Sequence, residues 1–176
     1  MDEVENVERE KELQKALPVK KVDDVMDAES ADNLLRPLEN YVGVFLPKTL
    51  KKIKIVSYPA SILVLTNEHW ISFYLTEKKL EIMDSMGYFA KDEIDDDLES
   101  FVIAHATGKD ISTTPRIQVP DSSLCALYAI GFLYYRSYGC GTLCEFCENF
   151  RPNLSLNTTL IKNFFAKILE INGKNA

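Results

Sequence analysis

The chain has 176 residues, a net charge of −7 and a pI near 4.9. That length suits one folded domain with a single core, and the acidic balance argues against sequence-independent nucleic-acid binding as the main activity. Hydrophobic residues make up 46% and charged residues 27%, as in a soluble globular protein, and no run approaches the ~18 apolar residues that a membrane span needs.

Residues 1–36 are polar and acidic, with sparse apolar positions (Val4, Val7, Leu13, Leu17), and read as an N-terminal helical arm. Pro18 divides the arm and Pro37 closes it, leaving 37–176 as the folded domain. The start, MDEVENVEREKELQ, lacks the apolar centre of a secretory signal, so an intracellular location is expected. Lys48, Lys51, Lys52 and Lys54 cluster in PKTLKKIKI. The cluster reads as a solvated loop or strand edge, with contact to an anion as the alternative.

Three strands are expected next. SILVLTN (61–67) is almost continuously apolar and fits a strand buried on both faces. HWISFYL (69–75) is rich in aromatic and β-branched residues, and LEIMDS (80–85) alternates. Thr76-Glu77-Lys78-Lys79 is a hairpin-sized break, so the last two strands should pair antiparallel and bring His69 near Asp84. Beyond Gly87 a helix is expected over 92–106, its acidic first turns suited to the positive end of the helix dipole. His105 would then be a surface residue or a cation at that helix's C-terminus. TTPRIQV (113–119) is a short strand candidate, interrupted by Pro115. Asp121 or Ser122 can cap the helix that follows, which is nearly all apolar from Leu124 to Tyr135 and therefore central. A final helix is expected to begin at Asn157 as its cap and to carry a stripe of Leu160, Ile161, Phe164, Phe165 and Ile168. The fold class is α+β, a small mixed or antiparallel sheet packed by helices.

Four side chains in this frame have the chemistry of a thiol hydrolase. Cys125 sits at the first turn of the central helix, where backbone N–H groups and the helix dipole stabilise a thiolate. His69 can take its proton and later deliver it to a leaving amine. Asp84 can fix the imidazole tautomer and stabilise its charged form. Glu68 and Glu81 are rivals by proximity, but strand alternation turns Glu68 away from His69 and puts Glu81 on the face opposite Asp84. Gln118, seven positions before Cys125 across a turn with Pro120, can help an N–H of Cys125 hold an oxyanion. Each alone has an ordinary structural reading: packed thiol, packed imidazole, turn former, surface amide. Their order makes the functional reading.

That order, HWISFYL, then EIMDSMG, then IQVPDSSLCALYAIGFLYY, resembles the adenovirus-type processing proteases and the SUMO-specific (ubiquitin-like) proteases over residues 41–136. The resemblance implies a papain-like core in circularly permuted order, a cysteine protease domain at 37–176, catalytic roles for His69, Asp84 and Cys125, and an oxyanion role for Gln118. It also implies that Trp70 shields the catalytic histidine, and that no cofactor or metal is needed. One position departs, since the family usually has Gly after the nucleophile and this chain has Ala126.

The short length and the Asp-Ser-Met-Gly segment look closest to the maturation proteases of virophages and virus-like DNA transposons. Such proteases imply capsid or other virion precursors as substrates, and action in the host cytoplasm, nucleus or virus factory, with packaging in the virion as a further option. A DNA activator, known for the adenovirus enzyme, has only the lysine cluster as a foothold against the acidic charge. Two alternatives stay open: a deconjugase that cuts a ubiquitin-like modifier after Gly-Gly, and a catalytically inactive module that binds peptides.

Cys140, Cys144 and Cys147 form C-x3-C-x2-C, a spacing also used for iron–sulfur clusters. Only 29 residues follow Cys147 (176 − 147), too few for the barrel of a radical enzyme. No fourth zinc ligand stands nearby in sequence, so these thiols read as helix-packing residues.

Overall fold

The structure, a computed structural model, describes residues 26–91, 93–120 and 122–174. A five-stranded mixed sheet separates two layers of helix. Its strands are β1 (Tyr41–Phe45), β2 (Ala60–Thr66), β3 (His69–Leu75), β4 (Lys79–Met83) and β5 (Asp110–Thr113), neighbours in that order. The inner pairs β2–β3 and β3–β4 are antiparallel, whereas β1 joins β2 and β5 joins β4 in parallel. The helices are α1 (Ala28–Leu35), α2 (Asp96–Ala106), α3 (Cys125–Ser137), α4 (Leu143–Glu148) and α5 (Leu154–Lys174).

Strand alternation sends side chains to two different cores. Ile71, Phe73 and Leu75 on β3, with Leu80 and Ile82 on β4, pack against Leu98 and Phe101 of α2. Trp70, Tyr74 and Met83 point the other way, into a core built by α3 with residues of α1, α4 and α5. Both faces of the central strands are therefore buried, which is why SILVLTN shows no polar alternation. Ser72 is a buried polar residue on the α3 face, and its hydroxyl donates to the Ala129 carbonyl at 2.9 Å.

β2 and β3 are joined by two residues, Asn67 and Glu68, with φ of 46° and 61°. Positive φ at both positions gives a turn twisted to match the strands. Asn accepts that conformation readily, whereas a side chain such as Glu68 carries a strain of about 1 kcal/mol. The strained residue immediately precedes His69.

Several boundaries differ from the sequence reading. The arm assigned to 1–36 lies outside the described residues through Val25. Its remainder packs on the domain, with Ala31, Leu34 and Leu35 of α1 buried. β1 has no counterpart in the sequence reading. The strand expected at 113–119 is absent, and the actual edge strand is Asp110–Thr113. α2 starts later than expected, at Asp96, with Asp95 as its cap and Asp96, Asp97 and Glu99 in its first turn. Its His105 lies tilted against Phe101, ring centroids 4.4 Å apart. Burial, then Lys109, lowers the His105 pKa, so this ring is a neutral packing group rather than a cation. α3 is preceded by Leu124, which has no side-chain acceptor, so Ser122 is not its cap; Asp121 lies outside the described residues. α5 begins three residues before Asn157, whose side chain is fully buried in another role.

The far end of α3 is tied to the sheet by a buried ion pair. Glu81, 1% exposed, accepts from Arg136 Nε at 2.7 Å and from the Leu143 backbone N–H at 2.9 Å. The Arg136 guanidinium also lies over the Tyr74 ring, 4.8 Å from its centroid. Removing one partner of a buried pair strands the other charge. Arg136→Ala should therefore cost about 3 kcal/mol of stability, measured by urea denaturation, with Arg136→Lys recovering part of the loss.

Candidate active site

The site lies where β3 begins, β4 ends and α3 begins. Cys125 is the first residue of α3 and is 6% exposed. Leu124 at the cap position makes no side-chain hydrogen bond to the helix start, and the positive end of the helix dipole lies there. His69, at the mouth of β3, donates from Nε2 to Asp84 Oδ1 at 2.7 Å. Its other ring nitrogen, Nδ1, is then the one available to the Cys125 thiol, which lines the same cleft and helps raise the pKa of the ring. Tyr88 stands edge-on to this ring, centroids 5.3 Å apart, and limits its rotation.

Asp84 is fully buried yet well supplied with donors. Oδ1 accepts from His69 and from the Met86 N–H at 3.2 Å, and Oδ2 accepts from the Phe89 N–H at 3.0 Å. Its own N–H donates to Thr114 Oγ1 at 3.0 Å, and the Thr114 hydroxyl donates to the Asp84 carbonyl. Such an arrangement replaces the hydration of the carboxylate and holds it stationary. Burial lowers the pKa of His69, but Asp84, then Cys125, outweighs it through hydrogen bonds and charge, so the ring's pKa rises to about 9. The ring is therefore an imidazolium at neutral pH, the partner that a thiolate requires.

Gln118 is 1% exposed, with its amide oriented from both ends. Ser85 donates from Oγ to Oε1 at 2.5 Å, and Nε2 donates to the Ser122 carbonyl at 2.7 Å and to the Ser122 hydroxyl at 2.9 Å. The N–H end thus points to the cleft, where Ser122 holds it in the resting state. The segment carrying Gln118 is not a strand. It is held by the Ser85 carbonyl, which accepts from the N–H groups of Ile117 and Gln118. Asn157, from α5, donates to the Ile117 carbonyl at 2.9 Å, and Tyr128 donates to it at 3.3 Å.

His69, Trp70, Gln118, Ser122 and Cys125 line one open cleft of about 500 Å³, whose walls include Met26, Glu68 and Tyr88. A second hollow of about 270 Å³ lies beyond His69 and Tyr88. Trp70 is 1% exposed, with its ring in the core. Ala126 is fully buried and is not among the cleft-lining residues, so its methyl faces the core rather than the approach to sulfur. Glu81 lies on the opposite face, paired with Arg136. Four of the residues in this arrangement were named from the sequence. Ser85 entered there only as the end of the LEIMDS strand, Asn157 only as a helix cap, and Thr114 and Tyr88 carried no signal, because these contacts span 19 to 40 positions and no short motif contains both ends.

The remaining thiols stand apart from this cleft in their environment. Cys140 and Cys144 are exposed, while burial, then Cys144, pushes Cys147 up to about 12. Among the described residues no group of three or more His, Cys, Asp or Glu side chains is placed to hold a metal. Among them, too, no helix is long and apolar enough to cross a membrane.

No protein-family model and no curated protein matches the chain. Solved structures do match its fold. The SUMO protease Ulp1, with its catalytic cysteine oxidised to a sulfenic acid, aligns with a TM-score of 0.51 at 15% identity, over 98% of this chain and 97% of that one. The central domain of the uncharacterised Lpg1148 protein from Legionella pneumophila aligns with a TM-score of 0.50, also at 15% identity, over 86% of this chain and 95% of that one. At such identity the likeness is one of fold: an α+β, papain-like architecture of the Ulp1 type, with a five-stranded mixed sheet packed by helices.

Proposed function

We propose that this chain is a cysteine endopeptidase of viral type, which trims capsid or other virion precursors. The observation that carries the reading is the His69–Asp84 hydrogen bond of 2.7 Å in the same cleft as Cys125, with the thiol at a helix start and the carboxylate fully buried. In that reading the Cys125 sulfur attacks the scissile carbonyl carbon, and the C=O pair moves onto oxygen. Gln118 Nε2 and the Cys125 N–H hold the oxyanion, Nε2 turning from the Ser122 hydroxyl to do so. The tetrahedral intermediate collapses with cleavage of the C–N bond, and His69 protonates the departing amine. A water then gives its proton to His69 and attacks the thioester, releasing the acid and the thiol. The viral assignment is supported by the Asp-Ser-Met-Gly segment that carries Asp84.

A second reading, a deconjugase for a ubiquitin-like modifier, is favoured by the fold likeness to a SUMO protease. The same side chains would serve it, so the substrate decides. Purified protein would be incubated with a capsid precursor and, separately, with a modifier fused through its Gly-Gly terminus. New termini found by mass spectrometry only in the capsid arm support the endopeptidase; cleavage only of the fusion selects the deconjugase. Cys125→Ala should lower kcat more than about 10³-fold, and Gln118→Ala about 100-fold, with the fold retained by circular dichroism. Retained cleavage by Cys125→Ala would refute the mechanism. Absence of any cut, together with slow alkylation of Cys125 at neutral pH, would favour an inactive peptide-binding module.

The raised pKa of His69 sets the alkaline limit. The ring must be protonated to release the amine, so kcat/KM should hold through neutral pH and fall as pH rises through about 9. Stability follows the same sign. The contribution of protonated His69 is complete below its unfolded value near 6.5 and is lost as pH rises through about 9. Asp84→Asn removes the charge that outweighs burial, so the alkaline limb of its rate profile should move to lower pH; an unmoved limb would separate His69 from the titration.

A further inference from the structure

We infer that Ser85 is a positioning residue for the oxyanion donor, an inference that rests on the peptidase reading above. A glutamine amide has two ends of nearly equal size and opposite hydrogen-bonding sense, and only its N–H end can stabilise an oxyanion. Something must therefore select the orientation. Ser85 is 1% exposed, and its hydroxyl donates to Gln118 Oε1 at 2.5 Å. With that oxygen engaged at the buried end, Nε2 is turned to the cleft, at Ser122.

The Ser85 backbone fixes the same segment. Its carbonyl accepts from the Ile117 N–H at 2.9 Å and from the Gln118 N–H at 3.1 Å. Ser85 thus sets the position of the Gln118 main chain and, together with the Ser122 carbonyl, which can only accept, the sense of its amide. Ser85 directly follows Asp84, which holds His69. Adjacent residues on one rigid turn therefore orient the proton carrier and the oxyanion donor, so the two halves of the site keep a fixed spacing. Ser122 completes the arrangement from the other side. Its carbonyl and hydroxyl take the amide hydrogens in the resting enzyme, and an oxyanion at the hydroxyl's place inherits one of them.

The test is a double-mutant cycle on whichever protein substrate the wild type cleaves. Ser85→Ala should lower kcat about 10-fold with KM unchanged, and the same change made in Gln118→Ala should cost less than about 2-fold, because the residues act as a unit. Its alkaline pH limb should stay at the wild-type position, since His69 and Asp84 are untouched. An equal loss in both backgrounds, a moved pH limb or an unchanged kcat would overturn the inference. Should Ser85→Ala fail to fold, Ser85→Cys, with its weak donor, is read in the same cycle.

A second measurement needs no substrate. In 15N-labelled wild type the Gln118 side-chain NH2 should give two resolved, slowly exchanging signals. Ser85→Ala should speed their exchange at least about 10-fold, and unchanged exchange would overturn the inference. A wild type that cuts neither protein and is not labelled at Cys125 by a peptidyl vinyl sulfone instead overturns the peptidase reading, leaving the amide result to stand by itself.

Discussion

Asp84 is a carboxylate with no access to water, and burying such a charge is prohibitively costly unless donors replace its hydration. The chain supplies them by bending sharply after β4, so that the N–H groups of Met86 and Phe89 turn back onto the two oxygens. Gly87 permits the bend. Its φ is +72°, and a Cβ there would lie 2.8 Å from the Arg116 backbone nitrogen. The third donor is His69, and that bond fixes which nitrogen is left for sulfur. The carboxylate therefore dictates the local path, the close approach of 115–118, and the protonation of the ring.

Cys125 has to be held against that fixed ring, and α3 does this as a rod secured along its length. Glu81 and Arg136 secure its C-terminal end against β4, the Ser72–Ala129 bond ties its middle to β3, and Gly131 allows α5 to come within van der Waals contact of the helix. The sheet is common to both partners, because His69 begins the strand on which α3 lies. Sulfur and imidazole are thus positioned by the packing of one helix on one sheet, with a strained two-residue turn immediately before His69.

How much of this was legible in the sequence depended on whether the cause was local. β2, β3 and the central helix read correctly because burial on several sides leaves continuous apolar runs. Asp110–Thr113 was missed because an edge strand of mostly exposed residues has no such run, and 113–119 was misread because its β-like composition serves a segment held by side chains. Asn157 looks like a helix cap in sequence, yet it is a buried connector that accepts from Arg151 and donates to Ile117. In the site, His69, Asp84, Gln118 and Cys125 could be named because their chemical types and order are distinctive. Ser85 as an amide-orienting group could not, since its partner lies 33 residues away.

The four cysteines show why residue type alone was insufficient. Cys140 and Cys144 are exposed on a segment that meets neither the ring nor the carboxylate. Cys147 is partly buried, and burial together with a neighbouring thiol keeps it protonated up to about 12. Cys125 is the most buried of the four, and burial alone would make it the most inert. What sets it apart is a cation in the same cleft: an imidazole kept protonated to about 9 by a buried carboxylate, beside a helix start. The surroundings of that sulfur are therefore set by Asp84 as much as by the helix that carries Cys125, through one ring.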